Sequence, residues 1–86
     1  MAKSRLLIKP AAVKEIEAIP QKRDRQRLIE RILRLADNPS PPGCEKLSGQ
    51  DKYRVRQGRY RILYSVADPN LLVYVVKIAH RQDVYR

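Results

Sequence analysis

Two hydrophobic periods divide the 86-residue chain. In the first half apolar residues recur at helical intervals: Ala12, Ile16 and Ile19, then, beyond Pro20, Leu28, Ile32, Leu35 and Ala36. That spacing predicts two helices, each burying one stripe. Pro10 suits the first turn of the first helix, where its missing N–H would go unpaired anyway, and the helix carries to about Ala18. The second is longer and ends near Asp37. Ahead of both, Arg5 to Lys9 reads as a short strand. From Tyr53 the period changes to two, with Tyr53 and Val55 alternating with Arg54 and Arg56, and Tyr60, Ile62, Tyr64 and Val66 following on alternate positions. Gln57-Gly58-Arg59 is the turn between these strands. A second turn, Ala67 to Asn70, leads into Leu71 to Ile78, a β-branched run suited to a central strand.

The order strand, helix, helix, strand, strand, strand predicts an α+β fold: an N-terminal strand, a two-helix hairpin, then a three-stranded antiparallel meander in one sheet. The hairpin covers one face and leaves the other partly open. No repeat, low-complexity tract or linker interrupts residues 1–86, and the Pro-rich segment from Asp37 to Gly43 connects elements, so one domain is expected. By alternation Tyr53, Tyr60 and Tyr64 share the core side, Arg54, Arg56 and Arg61 point away from it, and Lys77 and Arg81 lie opposite Val76 and Ile78. If the aliphatic side meets the helices, these cations share the open face.

Charge gives that face a partner. The chain carries 19 Lys and Arg against nine Asp and Glu, a net charge of +10 and a pI of about 10.3, which points to a polyanion. Lys22, Arg23, Arg25, Arg27, Arg31 and Arg34 crowd the helix flanks and read as a solvated face with a share in general RNA attraction. By contrast, "YRVRQGRYRILY", Tyr53 to Tyr64, places four arginines with no acid near enough in sequence to pair with any of them. Cys44 is the single cysteine, so no internal disulfide is possible, and no zinc-site spacing occurs. The N-terminus lacks a signal-peptide core, and the longest apolar run, Leu71 to Val76, is too short for a membrane span. A soluble protein of the reducing cytoplasm, without metal or cofactor, is expected.

"EKLSGQDKYRVRQGRYRILYSV" followed by "VVKIAHRQDVY", with "AAVKEIEAIP" and "NPSPPG" ahead, resembles the RelE/ParE superfamily of toxins from type II toxin–antitoxin systems. The likeness spans nearly the whole chain and is closest in its site residues to the RelE branch. It implies the RelE/ParE fold and an endoribonuclease that cuts messenger RNA in the ribosomal A site, neutralised by a small acidic RelB-like antitoxin. Members resembling the ParE branch instead block DNA gyrase without cutting RNA, and fold alone does not choose between the two.

RNA can be cut without water or metal when a ribose 2′-hydroxyl attacks the adjacent phosphate, leaving a 2′,3′-cyclic phosphate and a 5′-hydroxyl. A proton acceptor, a clamp for the phosphorane's charge and a proton donor for the leaving oxygen are required. The RelE resemblance puts Arg54, Arg56, Arg61, Arg81 and Tyr85 in the catalytic cluster; lysines stand at the first two positions in the best-known members. Guanidinium forks suit phosphate oxygens, which makes Arg61 the clamp and Arg54 and Arg56 binders, since arginine is a poor proton acceptor. Proton transfer then falls to His80, the single histidine, or Tyr85, with Arg81 as a reluctant acid. His80 is in phase with Ile78, so a structural place on the helix side stands beside the catalytic one. Tyr85 either orients the 2′-hydroxyl or stacks on a base, or packs on the sheet. Lys46, Lys52, Arg59 and Lys77 complete the set as attractors of the RNA backbone.

Overall fold

The computed structural model describes residues 5–39, 43–47, 52–67 and 72–80. Its elements run β1 (Arg5–Ile8), α1 (Pro10–Glu17), α2 (Lys22–Asp37), β2 (Glu45–Lys46), β3 (Lys52–Gln57), β4 (Tyr60–Ala67) and β5 (Leu72–His80). The expected α+β architecture is present, with a fifth strand added. The strands form one sheet in the order β1-β5-β4-β3-β2.

Alternation explains the meander. β3 pairs with β4 and β4 with β5, all antiparallel, while β1 returns to lie parallel beside the first half of β5. β5 thus has partners on both sides there, as its β-branched residues suit. The two-residue β2 pairs antiparallel with β3. Two residues alternating only once give no readable period, so this strand escapes a reading by pattern. A register shift between Leu63 and Tyr64 places a bulge in the β4/β5 ladder, leaving Val76 as the extra residue between the partners Lys77 and Val75.

α1 and α2 pack their apolar stripes on one side of the sheet. Ala12, Ile16, Ile19, Leu28, Ile32 and Leu35 form a single buried core with Val55, Ile62, Tyr64, Val73, Val75 and Ile78. Tyr53 and Tyr60 pack against it half-buried. Pro10 opens α1 with no side-chain cap, and the Lys9 N–H donates to the Val75 carbonyl at 2.9 Å, tying the strand exit to the sheet. At the interhelix turn Arg25 Nη1 donates to the Ile19 carbonyl at 2.6 Å, satisfying an oxygen that the broken helix leaves open. No described helix is long and apolar enough to cross a membrane.

Tyr64 fastens the connection after α2. It is fully buried, stacks on Tyr53 with ring centroids 5.7 Å apart, and donates its hydroxyl proton to the Pro39 carbonyl at 2.7 Å. Cys44 Sγ lies 3.0 Å from the same hydroxyl. Residues on both sides of the Pro-rich turn are therefore held to one side chain in the middle of the sheet, and the residue after Cys44 begins β2.

Candidate nucleic-acid interface on the sheet

The face opposite the helices gathers the arginines in rows. Arg56 and Arg61 are direct cross-strand partners, and Ala79 follows Arg61 on β5. In the adjacent row on that face Glu45, Arg54, Leu63 and Lys77 stand in register across β2, β3, β4 and β5. Like charges set directly opposite destabilise a sheet by a few tenths to about 1 kcal/mol. The register thus sets two like charges side by side on this face.

Arg61 is 8% exposed, unlike the open position that alternation alone suggests. It sits on a central strand, between β3 and β5, where neighbouring chain shelters a long side chain that an edge would expose. A guanidinium held there is desolvated, and its attraction for a phosphate is correspondingly stronger than in water.

One carboxylate joins the cluster. Glu45 pairs with Arg54 through Oε2 and Nη2, an acid brought by the fold to a stretch that has none near it in sequence. The two residues are nine apart in sequence and become neighbours only because β2 folds against β3. The hydrogen bond from Arg54, then its charge, hold the Glu45 carboxyl below the usual carboxylate range, and Arg61 adds to the pull. Sequence reasoning missed Glu45 because the two-residue strand that delivers it carries no pattern of its own.

His80 is not brought to this cluster. It is the register partner of Tyr60, edge-on to that ring at 5.3 Å between centroids, and borders a cleft with Glu15, Ala18, Ile19, Pro20 and Ile78 on the helix-covered side. Lys77 is an exposed residue whose ammonium reaches Glu15 Oε2 of α1 at 3.2 Å, while Glu15 Oε1 accepts the Ile78 backbone N–H at 3.1 Å. That contact is possible because β1 ends opposite Val75 and, among the described residues, leaves the β5 edge beyond it without a strand. Lys46, Lys52 and Arg59 are exposed, Lys46 on edge strand β2, Lys52 at the start of β3 and Arg59 in the β3/β4 turn. Arg81 and Tyr85 lie outside the described residues. Among the described residues no group of three or more His, Cys, Asp or Glu could hold a metal ion.

An α-hairpin on a five-stranded sheet with an arginine cluster on the uncovered face defines a class. A model of the ParE toxin of type II toxin–antitoxin systems (parDE) matches residues 6–85, and the chain belongs to that family, within the RelE/ParE superfamily of toxins. Toxin RelG of Mycobacterium tuberculosis is 38% identical over 34 residues, 40% of this chain and 39% of that protein, so the match spans well under half of the relative. Among solved structures, the RelE–RelB complex of Pyrococcus horikoshii matches at a TM-score of 0.79 and 28% identity, over 93% of this chain and 97% of the other. The isolated RelE toxin of E. coli matches at 0.76 and 26%, over 98% and 92%.

Proposed function

We propose that this toxin is a metal-independent endoribonuclease that cuts messenger RNA on the ribosome and so stops translation, working in the cytoplasm and held in check by an acidic RelB-like antitoxin. The observation that carries the reading is the convergence of Arg54, Arg56 and Arg61 on one sheet face beside a carboxylate. A protein that only blocks another has no need of phosphate clamps gathered beside a proton acceptor. Similarity to RelE and RelG toxins supports the same branch, and the structurally similar archaeal toxin is itself bound to RelB.

In this mechanism Arg56 and Arg54 take the backbone phosphate, and Arg61, sheltered between them and β5, stabilises the charge that builds as the 2′-hydroxyl attacks. Glu45 supplies the acceptor that the arginines cannot. In the free protein Arg54 holds its carboxylate and depresses its basicity. A phosphate that takes the Arg54 guanidinium releases Glu45, whose affinity for a proton then climbs back toward the ordinary glutamate value of about 4.3. Substrate binding thereby exposes the base. The proton moves from the 2′-hydroxyl to Glu45 as the oxygen–phosphorus bond forms, and the 5′-oxygen leaves with its bonding pair and takes a proton, a task that the resemblance to RelE gives to Arg81 or Tyr85. His80, on the other side of β5, serves packing in this scheme.

A second reading follows from the matched family, whose description is of ParE: a gyrase-blocking toxin, with the cationic face as a docking surface. One experiment separates them. Purified toxin is added to translating ribosomes and, in parallel, to gyrase with supercoiled DNA. Discrete cuts in the message with no trapped DNA break support the nuclease; intact message with cleaved DNA held on gyrase establishes the alternative.

A further inference from the structure

Of the four described tyrosines, three are taken up by the core: Tyr64 is fully buried within it, and Tyr53 and Tyr60 pack against it. Tyr74 is not. It stands between Val73 and Val75 on β5, both fully buried, so its side chain lies on the uncovered face of the sheet, where it is half-buried. In register across β1, β5, β4 and β3 its row reads Leu7, Tyr74, Ser65 and Lys52. Leu7 is 54% exposed, and Leu63 and Leu72, both half-buried, lie in the rows on either side. An aromatic ring thus sits amid an apolar patch on the same face as the arginines.

The patch continues the arginine cluster. Leu63 belongs to the row of Arg54, and the pair Arg56 and Arg61 forms the next row along. Ser65, beside Tyr74, lies four residues from Arg61 on β4, or roughly 14 Å at about 3.4 Å per residue. About two nucleotides of an unstacked strand cover that distance. Cations also border the patch: exposed Lys52 ends the row of Tyr74, and exposed Arg5 is the register partner of Leu72. Among the described residues of these rows the one carboxylate is Glu45, already held by Arg54. The bulge at Val76 falls between Tyr74 and Lys77, a distortion of the kind that re-aims side chains beside a site.

A ring set among cations is the combination that holds single-stranded nucleic acid, the cations taking the backbone and the ring taking the face of a base. We infer that Tyr74 is a base platform. With the phosphate to be cut held by Arg54, Arg56 and Arg61, a base about two nucleotides away stacks on the Tyr74 ring, and Leu7 and Leu72 extend the apolar surface beneath it. The inference rests on the nuclease reading for the course of the strand and adds what fixes its register. Tyr74 is remote from the bond that breaks; by holding one base it sets which phosphate reaches Arg61. Because every base has a π-face, the platform takes any base and imposes spacing, with little preference for sequence.

The test is binding of the full chain to a short single-stranded RNA, 2′-O-methylated throughout so that no hydroxyl can attack. Wild type, Tyr74→Phe and Tyr74→Leu are compared on the intact strand and on strands carrying one abasic nucleotide at each position in turn. Phenylalanine keeps the ring and should bind within about twofold of wild type. Leucine keeps only the apolar bulk and should bind about tenfold more weakly, the loss of one stacked base. At one position the abasic strand should cost the wild type the same factor of about ten and cost Tyr74→Leu nothing further, the non-additivity expected of two groups in contact. Wild-type affinity in Tyr74→Leu, equal losses in the two variants, abasic penalties as large in Tyr74→Leu as in the wild type at every position, or no binding of the strand by the wild type would each overturn the assignment. So would unchanged RNA binding by Tyr74→Leu with weaker binding of an acidic amphipathic peptide, which would make the patch a protein-docking surface. Since no strand is cut in this assay, expected binding by a toxin that leaves message intact on ribosomes would keep the platform and remove the nuclease.

Discussion

Glu45 changes what the arginines can do. Arg54 and Arg56 have no means of accepting a proton near neutrality, and His80 lies with Tyr60 on the other side of the sheet. Glu45 is a carboxylate already in the cluster, ionised at pH 7 as any glutamate is, and Arg54 holds its pKa lower still. A group with a lowered folded-state pKa contributes its interaction above the ordinary value and loses it as pH falls through the lower one. The Glu45–Arg54 contact should therefore hold throughout the neutral range and break only in acid, below the ordinary glutamate pKa of about 4.3. Glu45→Gln should leave the fold intact, lower the cleavage rate about 10²- to 10⁴-fold and remove the acid limb of the pH–rate profile. Single-turnover rates from pH 4 to 8 check this; an unchanged profile would exclude Glu45 as the acceptor.

Elements decide which residues meet. The β3/β4 hairpin closes through a two-residue loop, Gly58-Arg59, between the partners Gln57 and Tyr60. Gly58 has φ of +60°, and a Cβ there would meet nothing within 4 Å, so strain comes from the backbone alone. Gly58→Ala should cost about 1 kcal/mol in denaturant unfolding and weaken the register that sets Arg56 against Arg61. This turn was legible because glycine at a left-handed position between alternating runs is a strong local signal. The helices were legible for a similar reason: Leu28, Ile32 and Leu35 repeat often enough to define a face. Local pattern did not carry the rest. The two residues of β2 cannot show a period, and nothing local reveals that β1 runs parallel to β5 or that a bulge sits at Val76. The arginine face was therefore readable from strands β3 and β4, while its carboxylate, delivered by β2, was not.

At the scale of the molecule, one buried tyrosine couples the core to the site. Tyr64 belongs to the core, stacks on Tyr53, and anchors both ends of the connection that precedes Glu45. Burial raises the pKa of its phenol, with the Cys44 hydrogen bond adding to the effect. The folded state thus keeps the proton after the unfolded chain, with a phenol pKa near 10, has begun to lose it. Stability should be level through neutral pH and fall as pH rises above about 10. Tyr64→Phe should flatten that alkaline decline in thermal unfolding, while costing about 1–2 kcal/mol at pH 7 through the Pro39 carbonyl left without its donor. An alkaline decline of the same steepness in the variant would place its origin elsewhere.

The central claim, that the arginine face cuts RNA by attack of the neighbouring 2′-hydroxyl, is tested most directly by end-group analysis of message recovered from translating ribosomes treated with wild-type toxin or Arg61→Ala. The account predicts a 2′,3′-cyclic phosphate and a 5′-hydroxyl with the wild type, and a rate at least 10²-fold lower with the variant, as expected on losing a principal transition-state contact. Intact message with folded wild-type toxin, or ends bearing a 3′-hydroxyl and a 5′-phosphate, would contradict it.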